Sequence, residues 1–183
     1  YFLTRVIFDI IRRLKPSWRN ELEITDALDM LLNENHMITY NMITDYWKDT
    51  GTPEDIIHAN KTILENLTAD FRGKKESTVA MKGNVSVGNH TLIKNGVKIN
   101  GPVIIGSNCE IYGNTVIGPN TSIGNGCIIS GGKIKDSIIM DDCEIGKNVN
   151  IKNSIISSNS SIKQNDIQDE QIFLLGEGTK ILF

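Results

Sequence analysis

The side chains able to do chemistry are few and scattered through this 183-residue sequence. His36 and His58 have no acid–base partner at a recognisable spacing, which general-base catalysis would need, and His90 falls at a corner of a six-residue repeat. Cys109, Cys127 and Cys143 make an odd count without a CxxC pair, so neither a zinc site nor a disulfide framework is indicated. Free thiols of this kind fit a reducing cytoplasm. Glu21 and Asp26 read as carboxylates at a helix start, where they favour the positive helix end. Asp49 reads as a turn residue ahead of a capped helix, Arg19 as a solvated loop residue and Trp47 as a core aromatic. None of these forms a site alone, so what they do depends on the elements that hold them.

Composition narrows the field. Hydrophobic residues are 39% and charged residues 22% of the chain, which excludes a disordered class. No run of 18 apolar residues exists, so no membrane span or membrane partner is expected. Residues 1–77 hold 10 basic and 13 acidic side chains, and residues 78–183 hold 9 and 9. Neither part has the basic excess of a nucleic-acid binder. Both Trp residues, Trp18 and Trp47, lie early, whereas 20 of 29 Ile lie after position 77. The two parts are therefore built differently. The start at Tyr1 rather than Met suggests a piece of a longer protein.

The first part has an α/β pattern. Val6, Ile7, Ile10, Ile11 and Leu14 recur at helical spacing, and Lys15-Pro16 ends that helix. Ile24, Ala27, Leu28, Leu31 and Leu32 line a second helix. The segment from His36 to Trp47 is the expected strand region. Thr52 is a good N-cap for a third helix with Pro53 in its first position. Three helices and about two strands form a thin core, so residues 1–70 are expected to be a fragment of a larger α/β domain. Residues 71–77 are the expected linker.

The second part is a six-residue repeat. Met81, Val87, Ile93, Ile99, Ile105, Ile111, Ile117, Ile123 and Ile129 fall on one grid. Two positions before each stands a small or β-branched residue, as in Val85, Thr91, Val97, Cys109 and Cys127. The grid shortens to Ile134 and Ile139 and continues through Ile145, Ile151, Ile156 and Ile162. So short a period predicts a β-solenoid over residues 78–165, each hexad one side of a three-sided coil. Its narrow interior excludes aromatic rings and places the three Cys in one buried thiol ladder. Residues 166–183, with apolar runs around Gly176-Glu-Gly178, are expected to cap the end as a hairpin or paired strands.

The hexads resemble the left-handed parallel β-helix of the hexapeptide-repeat proteins. That family contains acyltransferases and the C-terminal domains of sugar nucleotidyltransferases. The stretch Arg19-Asn-Glu-Leu-Glu-Ile-Thr-Asp26 resembles the Arg-Gly-Glu-Leu-Glu-Ile-Thr-Asp motif of sugar-1-phosphate nucleotidyltransferases, with Asn20 where the motif has Gly. Trp47-Lys-Asp-Thr-Gly51 resembles their Trp-x-Asp-Thr-Gly motif. The tail from Phe173 to Ile181 is similar to the end of the long, β-helix-bearing glucose-1-phosphate thymidylyltransferases. The Gly-rich nucleotide loop of that family is not in this sequence, so the resemblance is to a C-terminal portion.

The resemblance implies a mainly β protein: a left-handed parallel β-helix behind a partial α/β nucleotidyltransferase segment. It implies transfer of a nucleotide from a nucleoside triphosphate to a sugar-1-phosphate, with glucose-1-phosphate and dTTP as the expected pair. Asp49 matches a carboxylate ligand of the catalytic Mg²⁺, Trp47 a residue beside sugar phosphate and nucleotide, and Arg19 a residue near the sugar phosphate. It also implies a homo-oligomer assembled through the β-helix, and a fragment inactive alone. A mannose-1-phosphate guanylyltransferase, a hexapeptide-repeat acyltransferase using His90, and a purely structural oligomerisation module are the alternatives.

Overall fold

A hexad solenoid makes a definite geometric demand. Where the grid is regular, residues 18 apart must pair as neighbouring parallel strands, and the grid residues must point inward. The computed structural model, which describes residues 1–163 and 170–182, meets both conditions. One face stacks seven strands in parallel, from Asp70–Phe71 through Val85–Val87, Val103–Ile105 and Thr121–Ile123 to Leu174–Leu175. A second face also stacks seven, from Lys74–Lys75 to Lys180–Leu182. The third stacks five, from Ala80–Lys82 to Asn150–Lys152, with one further bridge between Ile151 and Gln171. The result is a parallel β-helix of roughly six turns.

The grid residues fill its interior. Ile93, Ile99, Ile105, Ile111, Ile117, Ile129, Ile134, Ile139, Ile145, Ile151 and Ile156 are all fully buried. The residues two positions earlier are buried beside them, polar ones included: Thr91, Thr115, Thr121, Ser137, Ser154 and Ser160. Each hydroxyl finds a main-chain carbonyl, as Thr91 Oγ1 does with Gly106 at 2.6 Å. That pairing removes the penalty of burying a polar group. Where the grid shortens, register is kept: Ser122 pairs with Ile138, 16 residues on, instead of 18. The shorter side is absorbed at the corner, where Asp136 adopts φ 48°. Among the non-Gly corners at positive φ, all but His90 are Asn or Asp, which tolerate the left-handed region.

The expected thiol ladder is present. Cys109, Cys127 and Cys143 are buried in successive coils, in one column with Thr91 and Ser160. The neighbouring Cys109 and Cys143 thiols, and then burial, hold the Cys127 thiol above its ordinary pKa.

The ends of the solenoid differ from expectation. The stretch read as a linker, 71–77, contains Phe71, which with Asp70 pairs with Ser86–Val87, and Lys74–Lys75, which pairs with Leu92–Ile93. It runs in a coil's register although its residues lack the apolar grid. At the other end, Leu174–Leu175 and Lys180–Leu182 do not pair with each other as a hairpin. They extend the first and second faces in parallel. Phe173, buried, occupies the inner column above Ser154 and closes the prism with a ring. The expected cap also covers residues 164–169 and Phe183, which lie outside the described residues.

The chain divides into two compact units, Tyr1–Trp47 and Lys48–Phe183. In the first, helix α1 (Val6–Ile11) and helix α2 (Ile24–Asn33) pack through Ile7, Ile10, Ala27 and Leu31. The strand expected between His36 and Trp47 does not form among the described residues. Met37, Tyr40 and Met42 instead stand exposed. Alternating apolar residues make a segment compatible with a strand, but a strand needs a hydrogen-bonded neighbour, and among the described residues no strand pairs with this segment. Helix α3 (Pro53–Glu65) belongs to the second unit, where Asn60 accepts a hydrogen bond from Ser122 Oγ at 2.6 Å.

Candidate functional site

Each candidate residue is held by its own local structure. Arg19 lies in the turn between α1 and α2. Its Nε and Nη2 donate to Glu23 Oε1 at 3.1 and 2.8 Å, and Nη2 also reaches Oε2 at 2.9 Å. Ser17 Oγ donates to the same Glu23 Oε1 at 2.9 Å. The arginine and the serine hydroxyl together hold the Glu23 carboxyl below the usual glutamate range. Glu21 is further from Arg19, at 3.8 Å. Asn20 has φ 60°, the left-handed region that the motif's Gly would take freely, so the Gly-to-Asn departure is compatible with the turn. Glu21 and Asp26 flank or begin α2, as their sequence positions suggest.

Glu23 is the residue that sequence reasoning passed over. Its signal was present: an Arg four positions ahead of a Glu at the N-cap position of α2.

Trp47 closes the first unit and is 68% exposed, so it is not the core aromatic that its type suggests. Asp49 opens the second unit and is exposed. Among the described residues its carboxylate takes no hydrogen bond or ion pair. The residues on either side of it are fixed. Lys48 Nζ lies 2.7 Å from Asp55 Oδ1, and Thr52 Oγ1 both donates to Asp55 Oδ2 at 2.8 Å and caps α3 by accepting from the Asp55 N–H at 3.2 Å. Lys48 first, then Thr52, hold the Asp55 carboxyl below the usual range. Asp49 therefore projects from a loop whose two ends are tied, and its oxygens are open to a cation or to solvent. Among the described residues no three His, Cys, Asp or Glu side chains gather in a metal-binding group.

His90 sits at a solenoid corner, exposed, with φ 60°. Its column continues as Asn108, Gly126, Asp142 and Asn159, all at positive φ. That is a turn-forming role. A feature invisible in the sequence lies along α3: a cavity of about 450 Å³ between Glu54, Ile57, His58 and Lys61 and the corner residues Asn120, Asp136 and Asn153. His58 thus lines a cavity wall, although its place in the sequence carries no such signal.

Fold and motifs together define a nucleotidyltransferase segment followed by a parallel β-helix. Comparison with known proteins agrees. Residues 1–66 match the nucleotidyl transferase family, and residues 99–182 match the GMPPB C-terminal domain. The first part of the chain is thus similar to the nucleotidyl transferase family, and the β-helix to a C-terminal domain. The chain is 36% identical over 145 residues to a glucose-1-phosphate thymidylyltransferase of Streptomyces antibioticus, covering 79% of this chain and 40% of that protein. It is 40% identical over 87 residues to the low-salt glycan biosynthesis nucleotidyltransferase Agl11 of Haloferax volcanii, covering 48% and 24%. It is 40% identical over 94 residues to the bifunctional protein GlmU of Methanococcus aeolicus, covering 51% and 23%. The matches thus span less than half the length of these curated relatives.

Proposed function

We infer that this chain is the C-terminal part of a sugar-1-phosphate nucleotidyltransferase that joins glucose-1-phosphate to dTTP, giving dTDP-glucose and pyrophosphate. The observation that carries this is the 36% identity to a glucose-1-phosphate thymidylyltransferase, which runs through 79% of the chain. In this reading a phosphate oxygen of the sugar-1-phosphate attacks the α-phosphorus of the nucleoside triphosphate in line. The new P–O bond forms as the bond to pyrophosphate breaks. Positioning and charge neutralisation supply most of the rate.

Arg19 would hold the sugar phosphate, since a guanidinium can bond two oxygens at once. Its pairing with Glu23 would then set the orientation of that guanidinium. Trp47 would lie beside sugar phosphate and nucleotide. An open carboxylate fits a Mg²⁺ site, because this ion takes one or two carboxylates together with phosphate oxygens and water. Asp49 would supply one of those oxygens. Bound Mg²⁺ would offset the negative charge on the triphosphate. We assign the segment ahead of Asp70 to the catalytic domain and the coils from Asp70–Phe71 to Lys180–Leu182 to the β-helix, whose flat sides would assemble the cytoplasmic protein into a homo-oligomer.

The test is pyrophosphate release from dTTP and glucose-1-phosphate. It is expected from the protein carrying its full N-terminal catalytic region and not from residues 1–183 alone. In the active protein, Asp49→Asn should lower kcat about 100-fold or more. An Asp49→Asn enzyme with unchanged turnover would remove Asp49 from the site. The same assay with GTP and mannose-1-phosphate separates the guanylyltransferase alternative.

A further inference from the structure

The outer faces of the solenoid differ in charge. On the five-strand face, register aligns two outward columns: the residue just before each inward Met or Ile, and the residue just after it. These ten positions hold Lys82, Lys98, Lys133, Lys135 and Lys152 and no acidic residue. The other five are Ala, Val, Gly and two Asn. The chain as a whole has a net charge of −3, so composition does not account for the cluster. Glu170 reaches this face, 2.5 Å from Lys135 Nζ and 3.5 Å from Lys152 Nζ. Lys82, Lys98 and Lys133 are exposed and have no ion pair among the described residues. The second face differs: it carries glutamates as well as lysines, and two pairs form there, Lys94 with Glu76 at 3.3 Å and Lys163 with Glu144 at 3.0 Å.

We propose that the lysine face docks the protein on the surface of an anionic lipid bilayer. The face is a sheet rather than a groove, and its five strands span roughly 20 Å at the usual β spacing. Every cation on it is Lys, a mobile point charge on a flexible stem. Such groups suit headgroups without a fixed geometry, whereas oriented phosphate recognition favours the arginine fork. Single-stranded nucleic acid binding uses aromatic platforms for stacking, and this face carries none. Clusters of about four to eight basic residues draw proteins to anionic leaflets. Docking would be peripheral, since no helix among the described residues is long and apolar enough to cross a membrane.

The test is co-sedimentation of the chain with phosphatidylcholine vesicles, with and without about 30% phosphatidylglycerol. Binding is expected only to the anionic vesicles, with release near 1 M salt, where screening acts over roughly 3 Å. The triple variant Lys82→Gln, Lys98→Gln, Lys133→Gln should lower partitioning about 100-fold, at roughly fivefold per lysine. The second-face triple Lys74→Gln, Lys94→Gln, Lys180→Gln should change it by less than about threefold, with thermal melting confirming that both variants fold. Three results would overturn the proposal: no binding to anionic vesicles, unchanged binding by the first triple, or equal loss in the two triples. Preference for single-stranded RNA over these vesicles would equally exclude lipid as the occupant.

Discussion

The Cys109 thiol donates to the main-chain oxygen of Gly124, one coil further on, at 3.1 Å. Cys127 makes the same bond to Met140 at 3.1 Å and Cys143 to Ser157 at 3.2 Å. In the flanking coils the bond is made by hydroxyls: Thr91 to Gly106 at 2.6 Å and Ser160 to Gly176 at 3.2 Å. The column is a hydrogen-bond ladder in which thiol and hydroxyl are equivalent parts. It joins neighbouring coils from inside.

Cys127→Ser should therefore keep the fold, because Ser repeats what Ser160 does in the same column. Cys127→Val removes the donor and leaves the Met140 carbonyl unpaired by a side chain. It should destabilise by about 1–3 kcal/mol. Thermal and urea unfolding of the two variants compare them directly. A thiol held above its ordinary pKa and shielded from solvent should also resist alkylation until the protein unfolds.

Inward and outward Ile should behave oppositely. Ile117 is fully buried, and Ile117→Ala should cost about 2–5 kcal/mol through lost burial and the cavity left behind. Ile128 points outward and is 42% exposed, so Ile128→Ala should stay within about 0.5 kcal/mol. Urea midpoints measured on both would show whether the hexad grid marks the true interior.

Two glycines separate close packing from plain turn formation. A Cβ at Gly106 would lie 2.7 Å from main-chain atoms of Gly124 in the next coil. Gly106→Ala should force the coils apart and lower the melting temperature by several degrees, for a change of about 1–3 kcal/mol. At Gly176 nothing lies within 4 Å, so Gly176→Ala should be close to neutral.

The Arg19–Glu23 pair predicts a pH signature. The Glu23 carboxyl titrates below the usual glutamate range, with Arg19 the first cause and Ser17 the second. Its unfolded form binds a proton more readily. The pair's contribution is therefore complete above the ordinary glutamate value and fades as pH falls through the lowered native one. NMR titration should show the Glu23 resonance moving back toward the ordinary range in Arg19→Ala. An unmoved resonance would mean that Arg19 does not clamp Glu23 in solution.

Much of the fold was legible because a narrow prism repeats one requirement at every coil. Ile at the grid positions, small residues two places before and Asn or Gly at corners all follow from that requirement. They named the buried residues from Val85 to Ile162 correctly. The Thr52 cap and Pro53 start of α3 were legible for a local reason, since a helix end is satisfied by its own neighbours. The candidate site was less legible. Its residues appear as motifs, but Glu23's hold on Arg19 and the Lys48–Asp55 tie beside Asp49 are contacts that periodicity does not carry.

The sequence by itself determined which residues face inward, because hydrophobic burial at one spacing leaves a single consistent orientation. Register decided what shares an outer face. Lys82, Lys98 and Lys133 are scattered in a segment with 9 basic and 9 acidic residues, yet coil stacking places them on one side. Tertiary structure also decided that His36 to Trp47 forms no strand among the described residues, because a strand exists only where a neighbouring chain segment accepts and donates its main-chain hydrogen bonds.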